Sequence, residues 1–159
     1  MEAALKIDQF KGKYIFLSNF YSAPVWMDGK MYSTVEHAYQ AAKTMDNLER
    51  DIIACAVTPG KAKQLGNNVR VLRPNWDNVK EAIMLDLLLK KFVPFNNLAI
   101  NLMDTYPYQL IEGNDWNDYY WGVCNKRGKN RLGELLMEVR TNLRDMDRSL
   151  SFTGYDRKL

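Results

Sequence analysis

Three polar residues follow Ser33 at helical spacing: the carboxylate of Glu36, the amide of Gln40 and the amine of Lys43. At 100° per residue, these side chains fall within about 60° of one another on a helix. Glu36 and Lys43 would be about 10 Å apart along the axis, a gap that suits a sugar ring. A carboxylate can move a proton and an amine can attack an electrophilic carbon. The stripe therefore predicts one wall of a catalytic pocket.

The same residues also have a structural interpretation. Ser33 and Glu36 have the spacing of a capping box, in which a glutamate bonds back to the helix N-cap three residues before it. Lys43 would then be an ordinary solvated side chain. The residue types alone leave both interpretations open.

A second candidate region is residues 114–122, NDWNDYYWG, in which two tryptophans and two tyrosines are interleaved with amides and acids. Aromatic faces beside hydrogen-bonding side chains suit the stacking of a nucleobase while its edge is bound. The alternative to base stacking is a structural role, in which these aromatic side chains pack over a helical core.

Basic residues follow in the segment 125–130, NKRGKN, which leads directly into a predicted helix. Backbone amides at that helix start, together with three cations, could hold a phosphate or diphosphate. A short basic turn can equally be solvated. Arg73 and Trp76 form a similar arrangement, because they place a cation and an indole immediately before another predicted helix.

The composition predicts one domain without a metal site. The 159 residues are 47% apolar and 26% charged, which suits a globular domain with a substantial core. A net charge of +3 is compatible with an anionic ligand but far from the charge density of an obligate DNA binder. The single histidine and two cysteines argue against zinc.

The chain also lacks the signals of membrane insertion or export. No apolar run approaches the roughly 18 residues that cross a bilayer, and the charged residues 1–13 do not form a signal peptide. We expect one cytoplasmic, monomeric domain over 1–159, with its core at about 10–145. Residues 146–159 are expected to form a charged tail, with fraying from Arg144 onward.

The elements that would position these groups are mostly helical. Asp28 and Gly29 lie between two short β-prone runs and favour a hairpin, and residues 14–17 are also predicted to be extended. Start and stop signals predict helices after Ser33, near Asp46, over 59–66, after Asn75 towards Lys91, over 98–103, and from near Asn130. The predicted fold class is mainly α, with a small antiparallel β-hairpin near the N-terminus.

Six segments of the chain form a recognisable set: FLSNFY (16–21), VEHAYQAAK (35–43), TPG (58–60), LRPNW (72–76), WG (121–122) and GKNRLG (128–133). Taken together, they resemble the NADAR family, also called YbiA-like. Their combination and order across about residues 10–145 make the resemblance specific, although residues 123–127 depart from the glycine-rich stretch of many members. The resemblance implies a multihelical fold and hydrolysis of an N-glycosidic bond.

The predicted site combines residues implied by the resemblance, namely Trp76, Asp118 and Trp121 with a pocket lined by residues 18–20, with residues singled out above. The family's active-site glutamate and lysine match Glu36 and Lys43. The predicted substrate-binding residues are Ser18, Asn19, Phe20, Gln40, Arg73, Trp76, Asp118, Trp121, Gly122, Lys129 and Asn130.

Two substrate types follow from the resemblance. Some members cleave ribosylamino-pyrimidine phosphates, which are early intermediates of riboflavin synthesis, and others remove ADP-ribose from modified guanine in nucleic acid. Lys126 and Arg127 suit a diphosphate or a polynucleotide, so we expect ADP-ribosyl-guanine, with the riboflavin intermediates as the alternative. A non-catalytic ADP-ribose or nucleotide reader would lack the reacting residues, and a general nucleic-acid binder would need more charge.

Two mechanisms suit these residues. In one, Glu36 activates a water that attacks an oxocarbenium-like anomeric carbon. In the other, which we favour, the sugar ring opens and Lys43 forms a Schiff base at the anomeric carbon. Neither route needs a metal or an organic cofactor.

Overall fold

The structure, a computed structural model, describes residues 5–152. In chain order the elements are β1 (Lys6–Ile7), a 3₁₀ helix (Gly12–Leu17), β2 (Val25–Met27), β3 (Lys30–Tyr32), α1 (Val35–Ala41), α2 (Asn47–Ala54), α3 (Pro59–Gly66), α4 (Trp76–Lys91), α5 (Asn97–Met103), β4 (Gln109–Leu110), β5 (Gly113–Asn114), β6 (Val123–Cys124) and α6 (Arg131–Phe152). The fold class is mainly α, as predicted.

The described residues fall into two compact units. Residues 15–91 form one, called here the Glu36 unit. Residues 5–14 and 92–152 form the other, called the Trp121 unit.

The Glu36 unit is built around α1. Every residue of α1 is buried, and the helix packs against α2, α3 and α4. A helix surrounded in this way exposes no polar face, so Glu36 and Gln40 lie among packed side chains rather than in solvent. Burial of polar groups is unfavourable unless they find partners, which is why their contacts matter for the site.

The predicted hairpin is confirmed. Asp28 and Gly29 have φ values of 50° and 77°, the left-handed backbone that a two-residue hairpin turn requires. Strands β2 and β3 pair antiparallel with Val25 opposite Tyr32, and both of these side chains are buried. The hairpin thus contributes one face to the core of the Glu36 unit.

The start of α1 differs from the predicted capping box. The N-cap is Thr34, whose hydroxyl accepts from the His37 N–H at 3.1 Å, whereas the Ser33 carbonyl accepts from the Ala23 N–H at 3.2 Å. Because Thr34 has extended backbone and caps the helix, α1 begins at Val35, one residue later than predicted. Glu36 is therefore not the glutamate of a capping box on Ser33.

Most of the other helix starts that the sequence predicts are found in the structure. Asp46 and Thr58 are the N-caps of α2 and α3, and Pro59 begins α3. Helices α4, α5 and α6 begin within one residue of the predicted positions. In α6 the predicted residues Leu132, Leu135, Leu136, Val139 and Leu143 are all buried.

Two local predictions are wrong. Residues 14–17 belong to a 3₁₀ helix rather than a strand, because Phe16 and Leu17 are both buried and successive strand residues would face opposite sides. Helix α6 continues past Arg144 to Phe152, so fraying does not begin there. Residues 153–159 of the predicted tail lie outside the described residues.

The Trp121 unit contains strand pairs that the sequence did not predict. Strands β1 and β4 pair parallel, as do β5 and β6. Each strand has two residues, which is too short to show an alternating pattern. Helix α6 packs against α5 and β4. Across residues 5–152, no helix combines the length and apolarity that a membrane crossing needs.

Candidate active site

Glu36 is held through both its side chain and its backbone. The residue is buried, with 7% of its surface exposed, and Oε1 accepts a hydrogen bond from Gln40 Nε2 at 2.6 Å. Its backbone N–H donates to the Asn19 carbonyl at 3.1 Å. The first bond holds the carboxylate against its own helix, and the second ties the first turn of α1 to the segment that follows the 3₁₀ helix.

Helix α3 packs directly on the Gln40 side chain. A Cβ atom at Gly66 would lie 2.6 Å from Gln40 Cβ and would overlap the Gln40 amide oxygen. The glycine therefore permits a contact that no other residue type would allow. In the sequence, Gly66 indicates only the end of a helix, and nothing there predicts that this residue supports a site.

Two buried amide oxygens near Glu36 lack a hydrogen-bond donor in the structure. They are Gln40 Oε1 and Asn19 Oδ1, in side chains that are almost fully buried. The Asn19 amide nitrogen contacts Met84 Sδ at 3.5 Å. An unpaired buried acceptor is costly, so a ligand that brings a donor would find a favourable place here.

Lys43 lies just beyond α1 rather than on its predicted last turn. Helix α1 ends at Ala41, and the Lys43 N–H donates to the Gln40 carbonyl at 3.2 Å. The amine donates to Asn67 Oδ1 at 2.9 Å and lies 5.9 Å from the centre of the Tyr39 ring. This half-buried position contradicts the interpretation of Lys43 as an ordinary solvated side chain.

The surroundings of Lys43 favour its neutral form. Burial lowers the pKa of the amine, the negative charge of Glu36 acts in the opposite direction, and the charge of Lys63 lowers the pKa further. The direction of the resulting shift is downward from the ordinary value. A lysine with a lowered pKa is a better nucleophile near neutral pH, because more of it is unprotonated.

The predicted residues Arg73 and Trp76 lie beside the same end of α1. The Arg73 N–H donates to the Lys43 carbonyl at 2.6 Å. Trp76 is the buried first residue of α4, and its ring centre is 5.2 Å from that of Tyr39 at an angle of 50°. The Glu36 unit thus carries Glu36 and Gln40 on α1 and brings Lys43, Arg73 and Trp76 together beside the C-terminal end of that helix.

A cavity of about 540 Å³ lies next to this helix end, lined by residues 44–46, 49 and 70–74. Arg70 lies on its wall and pairs with Asp46 at 3.2 Å and with Glu49 at 3.4 Å. The sequence did not predict Arg70 as a site residue, since an exposed arginine between two helices carries no distinctive pattern.

Ser18, Asn19 and Phe20 precede the hairpin in the same unit. The Ser18 carbonyl accepts from the amine of Lys91 at 2.8 Å, and Lys91 has only 2% of its surface exposed. Phe20 is 45% exposed. Lys91 anchors the segment whose next residue, Asn19, bonds to the Glu36 backbone. The sequence missed this role, because a lysine in the last turn of a helix is usually solvated.

The remaining predicted residues belong to the Trp121 unit, where several have structural contacts. Asp118 Oδ1 accepts from the N–H groups of Tyr120 and Trp121 at 3.1 and 2.8 Å. The Asn130 amide accepts from Glu112 N and donates to Leu110 O, both at 2.9 Å. These contacts shape the aromatic loop, and substrate binding by Asp118 and Asn130 stays a prediction.

Gly122 also has a structural reason to be glycine, because a Cβ atom there would overlap the Glu112 carbonyl. Trp121 is half-buried, and its ring contacts the Tyr120 ring edge-to-face at a centroid distance of 5.1 Å. The Lys129 amine lies 5.2 Å from the centre of the Tyr120 ring. Binding roles for these residues likewise remain predictions.

Three backbone amides at the start of α6 already have carbonyl partners and are not free to bind a phosphate. The N–H groups of Asn130, Arg131 and Leu132 donate to the carbonyls of Gly122, Tyr120 and Trp121. The part of the phosphate prediction that rested on these amides is therefore wrong. The exposed side chains of Lys126, Arg127 and Lys129 remain as possible anion contacts.

The single histidine has structural contacts. His37 Nδ1 is 2.8 Å from the Thr34 hydroxyl, and Nε2 is 3.0 Å from the Ala56 carbonyl. Both ring nitrogens are thereby engaged within the Glu36 unit. Among residues 5–152, the structure contains no group of three histidine, cysteine, aspartate or glutamate residues arranged to hold a metal ion.

Comparison with known proteins identifies the family. Residues 7–144 match the NADAR domain. The chain belongs to the NADAR family. This match covers most of both units, including every residue of the predicted site.

Several NADAR relatives carry functional names. The chain is 43% identical over 128 residues to N-glycosidase YbiA of Shigella sonnei, covering 79% of each protein. It is 38% identical over 146 residues to N-glycosidase Npun_R5314 of Nostoc punctiforme, covering 89% of this chain and 91% of the relative. It is 30% identical over 132 residues to riboflavin biosynthesis protein VVA0006 of Vibrio vulnificus, covering 82% of this chain but 36% of that protein.

The NADAR fold is also known from experiment. The NMR structure of the E. coli protein YbiA matches this chain with a TM-score of 0.79 and 37% sequence identity. The match covers 91% of this chain and 89% of the E. coli chain.

Proposed function

We propose that this NADAR protein is an N-glycosidase that hydrolyses the bond between an exocyclic base amine and the anomeric carbon of a 5-phosphorylated ribose. The observation that carries the proposal is the pairing of a buried, anchored carboxylate at Glu36 with a half-buried amine of lowered pKa at Lys43. The names of the relatives at 38% and 43% identity support the same reaction class.

The reaction proceeds through a Schiff base at Lys43. Ring opening turns the glycosidic bond into an imine between the base nitrogen and the anomeric carbon, and the ring oxygen takes up a proton. The neutral Lys43 amine adds to that carbon, the carbon–nitrogen bond to the base breaks, and the base leaves with its amine intact. Water then hydrolyses the lysine imine, releasing the sugar aldehyde and the free amine.

Glu36 moves the protons in this sequence. Its carboxylate takes a proton as Lys43 adds and returns one to the departing base nitrogen, as a general base and then a general acid. The hydrogen bond from Gln40 holds Oε1 in a fixed direction. In the alternative route without a lysine adduct, the same carboxylate would deprotonate the attacking water.

The lowered pKa of Lys43 favours the Schiff-base route over direct water attack. Only the unprotonated amine can add to carbon, and burial increases its fraction at neutral pH. For a lysine that acts only through its positive charge, an environment that lowers the pKa of the amine would be no advantage.

The unpaired oxygen of Asn19 suits a sugar ligand. Asn19 Oδ1 is a buried acceptor beside the backbone of Glu36. The hydroxyl groups of a ribose are donors, so one of them would satisfy this oxygen. This match supports the assignment of Asn19 to substrate binding.

We propose ADP-ribosylated guanine, in nucleic acid or in nucleotides, as the substrate. The exposed cations Lys126, Arg127 and Lys129 lie close together in sequence and suit a diphosphate or a polynucleotide backbone. The second candidate is the ribosylamino-pyrimidine phosphates. The similarity to riboflavin biosynthesis protein VVA0006 favours that candidate.

One side-by-side assay tests the proposal. Purified protein is incubated with a guanine-ADP-ribosylated oligonucleotide and, separately, with a ribosylamino-pyrimidine phosphate, and the released amine and sugar are measured by mass spectrometry. We expect ADP-ribose and unmodified guanine from the first substrate, and release slowed by at least about 10² with a Glu36→Gln variant. Release from the second substrate alone would establish the riboflavin-type activity. Tight binding of ADP-ribose without release from either would indicate a non-catalytic reader.

A further inference from the structure

The Lys43 amine is held by a residue that the family resemblance did not assign. Its Nζ donates to Asn67 Oδ1 at 2.9 Å. Asn67 is the C-cap of α3, and its own N–H donates to the Lys63 carbonyl at 3.0 Å. The side-chain oxygen of Asn67 therefore extends from a fixed helix end and gives the flexible lysine a definite partner.

The same helix end packs against Gln40, the residue that holds the second reacting group. Gly66 lies directly before Asn67 and packs against Gln40, whose amide holds the Glu36 carboxylate at 2.6 Å. Gly66, the last residue of α3, thus contacts Gln40, and the C-cap Asn67 contacts Lys43. A displacement of this helix end would move the amine and the carboxylate together.

The chemical type of the partner matters because Lys43 already has charged neighbours. Glu36 of α1 raises the pKa of the amine and Lys63 of α3 lowers it, while the Tyr39 ring faces the amine at 5.9 Å. Arg73, before α4, bonds to the Lys43 backbone. A second carboxylate at position 67 would stabilise the protonated amine, whereas an amide oxygen orients the amine without adding a charge.

We propose that Asn67 is a positioning residue for Lys43, which holds the amine by a neutral acceptor and so fixes its direction without giving it a counter-charge. The effect of Asn67 on turnover rests on the proposed function, in which Lys43 is the nucleophile. The effect of Asn67 on the Lys43 amine does not depend on the proposed function, and it can be measured in the protein without substrate.

The test compares three variants of the full chain. Asn67→Asp adds a carboxylate next to Lys43, and Asn67→Ala removes the acceptor. Asn68→Asp is the matched control, because it makes the same charge change one residue further along, where the side chain donates to the Gln64 carbonyl at 2.7 Å. Circular dichroism and thermal melts establish that each variant is folded.

Competitive acetylation across a pH series, with the Lys43 peptide quantified by mass spectrometry, gives the pKa of the amine. We expect Asn67→Asp to raise that pKa by about 0.5 unit, the size of a partly exposed ion pair, and Asn68→Asp to leave it nearly unchanged. Equal Lys43 titration curves in the wild type and both aspartate variants would overturn the proposal.

Kinetics then test the consequence for turnover. In Asn67→Asp, the acidic limb of the kcat–pH profile should move to higher pH by the same amount, and kcat should recover above the new pKa. In Asn67→Ala, kcat should fall by about tenfold with little change in KM, since a misdirected amine affects the reaction more than binding. A wild type that cleaves neither substrate would refute the proposed function, and the acetylation result would still decide the role of Asn67.

Discussion

Gly66 and Gln40 are in direct contact, and the glycine is what makes this contact possible. A Cβ atom at position 66 would lie 2.6 Å from Gln40 Cβ and 2.9 Å from Gln40 Cδ. The Gln40 amide is thereby confined between α3 and the Glu36 carboxylate that it binds. The position of the proposed proton-transfer group thus depends on a residue with no side chain.

Gly66→Ala should impair turnover through this contact. The added methyl group must displace the Gln40 amide, and Glu36 then loses the hydrogen bond that directs its carboxylate. We expect kcat to fall by about tenfold or more, with about 1–3 kcal/mol lost in the free energy of unfolding from overpacking. Steady-state kinetics and urea denaturation measure the two effects.

The matched control is Gly60→Ala in the same helix. A Cβ atom there meets only the Thr58 hydroxyl, at 3.9 Å, so activity and stability should be close to wild type. A Gly66→Ala/Gln40→Gly double variant should be about as active as Gln40→Gly alone, because the whole side chain that would clash, its Cβ atom included, is then absent. Additive losses in the double variant would show that Gly66 does not act through Gln40.

Glu36→Gln should reduce kcat by at least about 10² while the fold is retained. Glutamine keeps the size of the side chain but cannot take up a proton at neutral pH. Loss of the carboxylate should also lower the pKa of Lys43, since the Glu36 charge raises it. Competitive acetylation of Lys43 measures that shift, and product release measures kcat.

Glu138→Gln is the control for this charge change, because Glu138 is an exposed residue of α6. Its kcat, KM and melting temperature should stay near those of the wild type. A folded Glu36→Gln variant with wild-type turnover would remove Glu36 from the mechanism.

The sequence predicted the helices well because their ends carry local signals. Asp46 and Thr58 cap α2 and α3 through their own side chains, so a few neighbouring residues determine where each helix begins. Ser33 had the same kind of signal, but its carbonyl pairs with the distant Ala23 N–H. A contact between separated segments therefore moved the cap of α1 to Thr34.

The candidate site was predictable only where the reacting residues share one segment. Glu36 and Gln40 lie one turn apart, so their contact follows from helix geometry. Asn67 and Lys91 reach the site from other helices, and their residue types at helix ends are common. Such supporting contacts depend on tertiary packing and leave no local pattern in the sequence.

Trp121→Ala tests the predicted binding role of the aromatic loop. If the indole stacks on the substrate, its removal should weaken binding by about 1–3 kcal/mol, which corresponds to a rise in Kd of about 5- to 150-fold. Because Trp121 is half-buried, we expect only a modest fall in melting temperature. Trp116→Ala is the control, since Trp116 is an exposed tryptophan of the same loop. If the free energy of unfolding instead falls by about 3–5 kcal/mol and this accounts for all of the lost binding, Trp121 is a core residue rather than a binding residue.

Lys43→Arg distinguishes the two mechanisms. Arginine keeps the positive charge but has no amine that forms a Schiff base, so the covalent route predicts a nearly inactive protein. Kinetics of the wild type should show kcat rising with pH and levelling above the lowered pKa of Lys43, because only the neutral amine reacts.

Trapping the intermediate locates the adduct. Cyanoborohydride added during turnover reduces the lysine imine, so the protein should gain the mass of one reduced sugar moiety, located on the Lys43 peptide. Lys61→Arg is the control for this experiment, because Lys61 is exposed on α3 and donates to Gln64 at 2.9 Å. It should turn over and trap like the wild type. An active Lys43→Arg variant, or turnover with no adduct on the Lys43 peptide, would refute the Schiff base and leave water attack directed by Glu36.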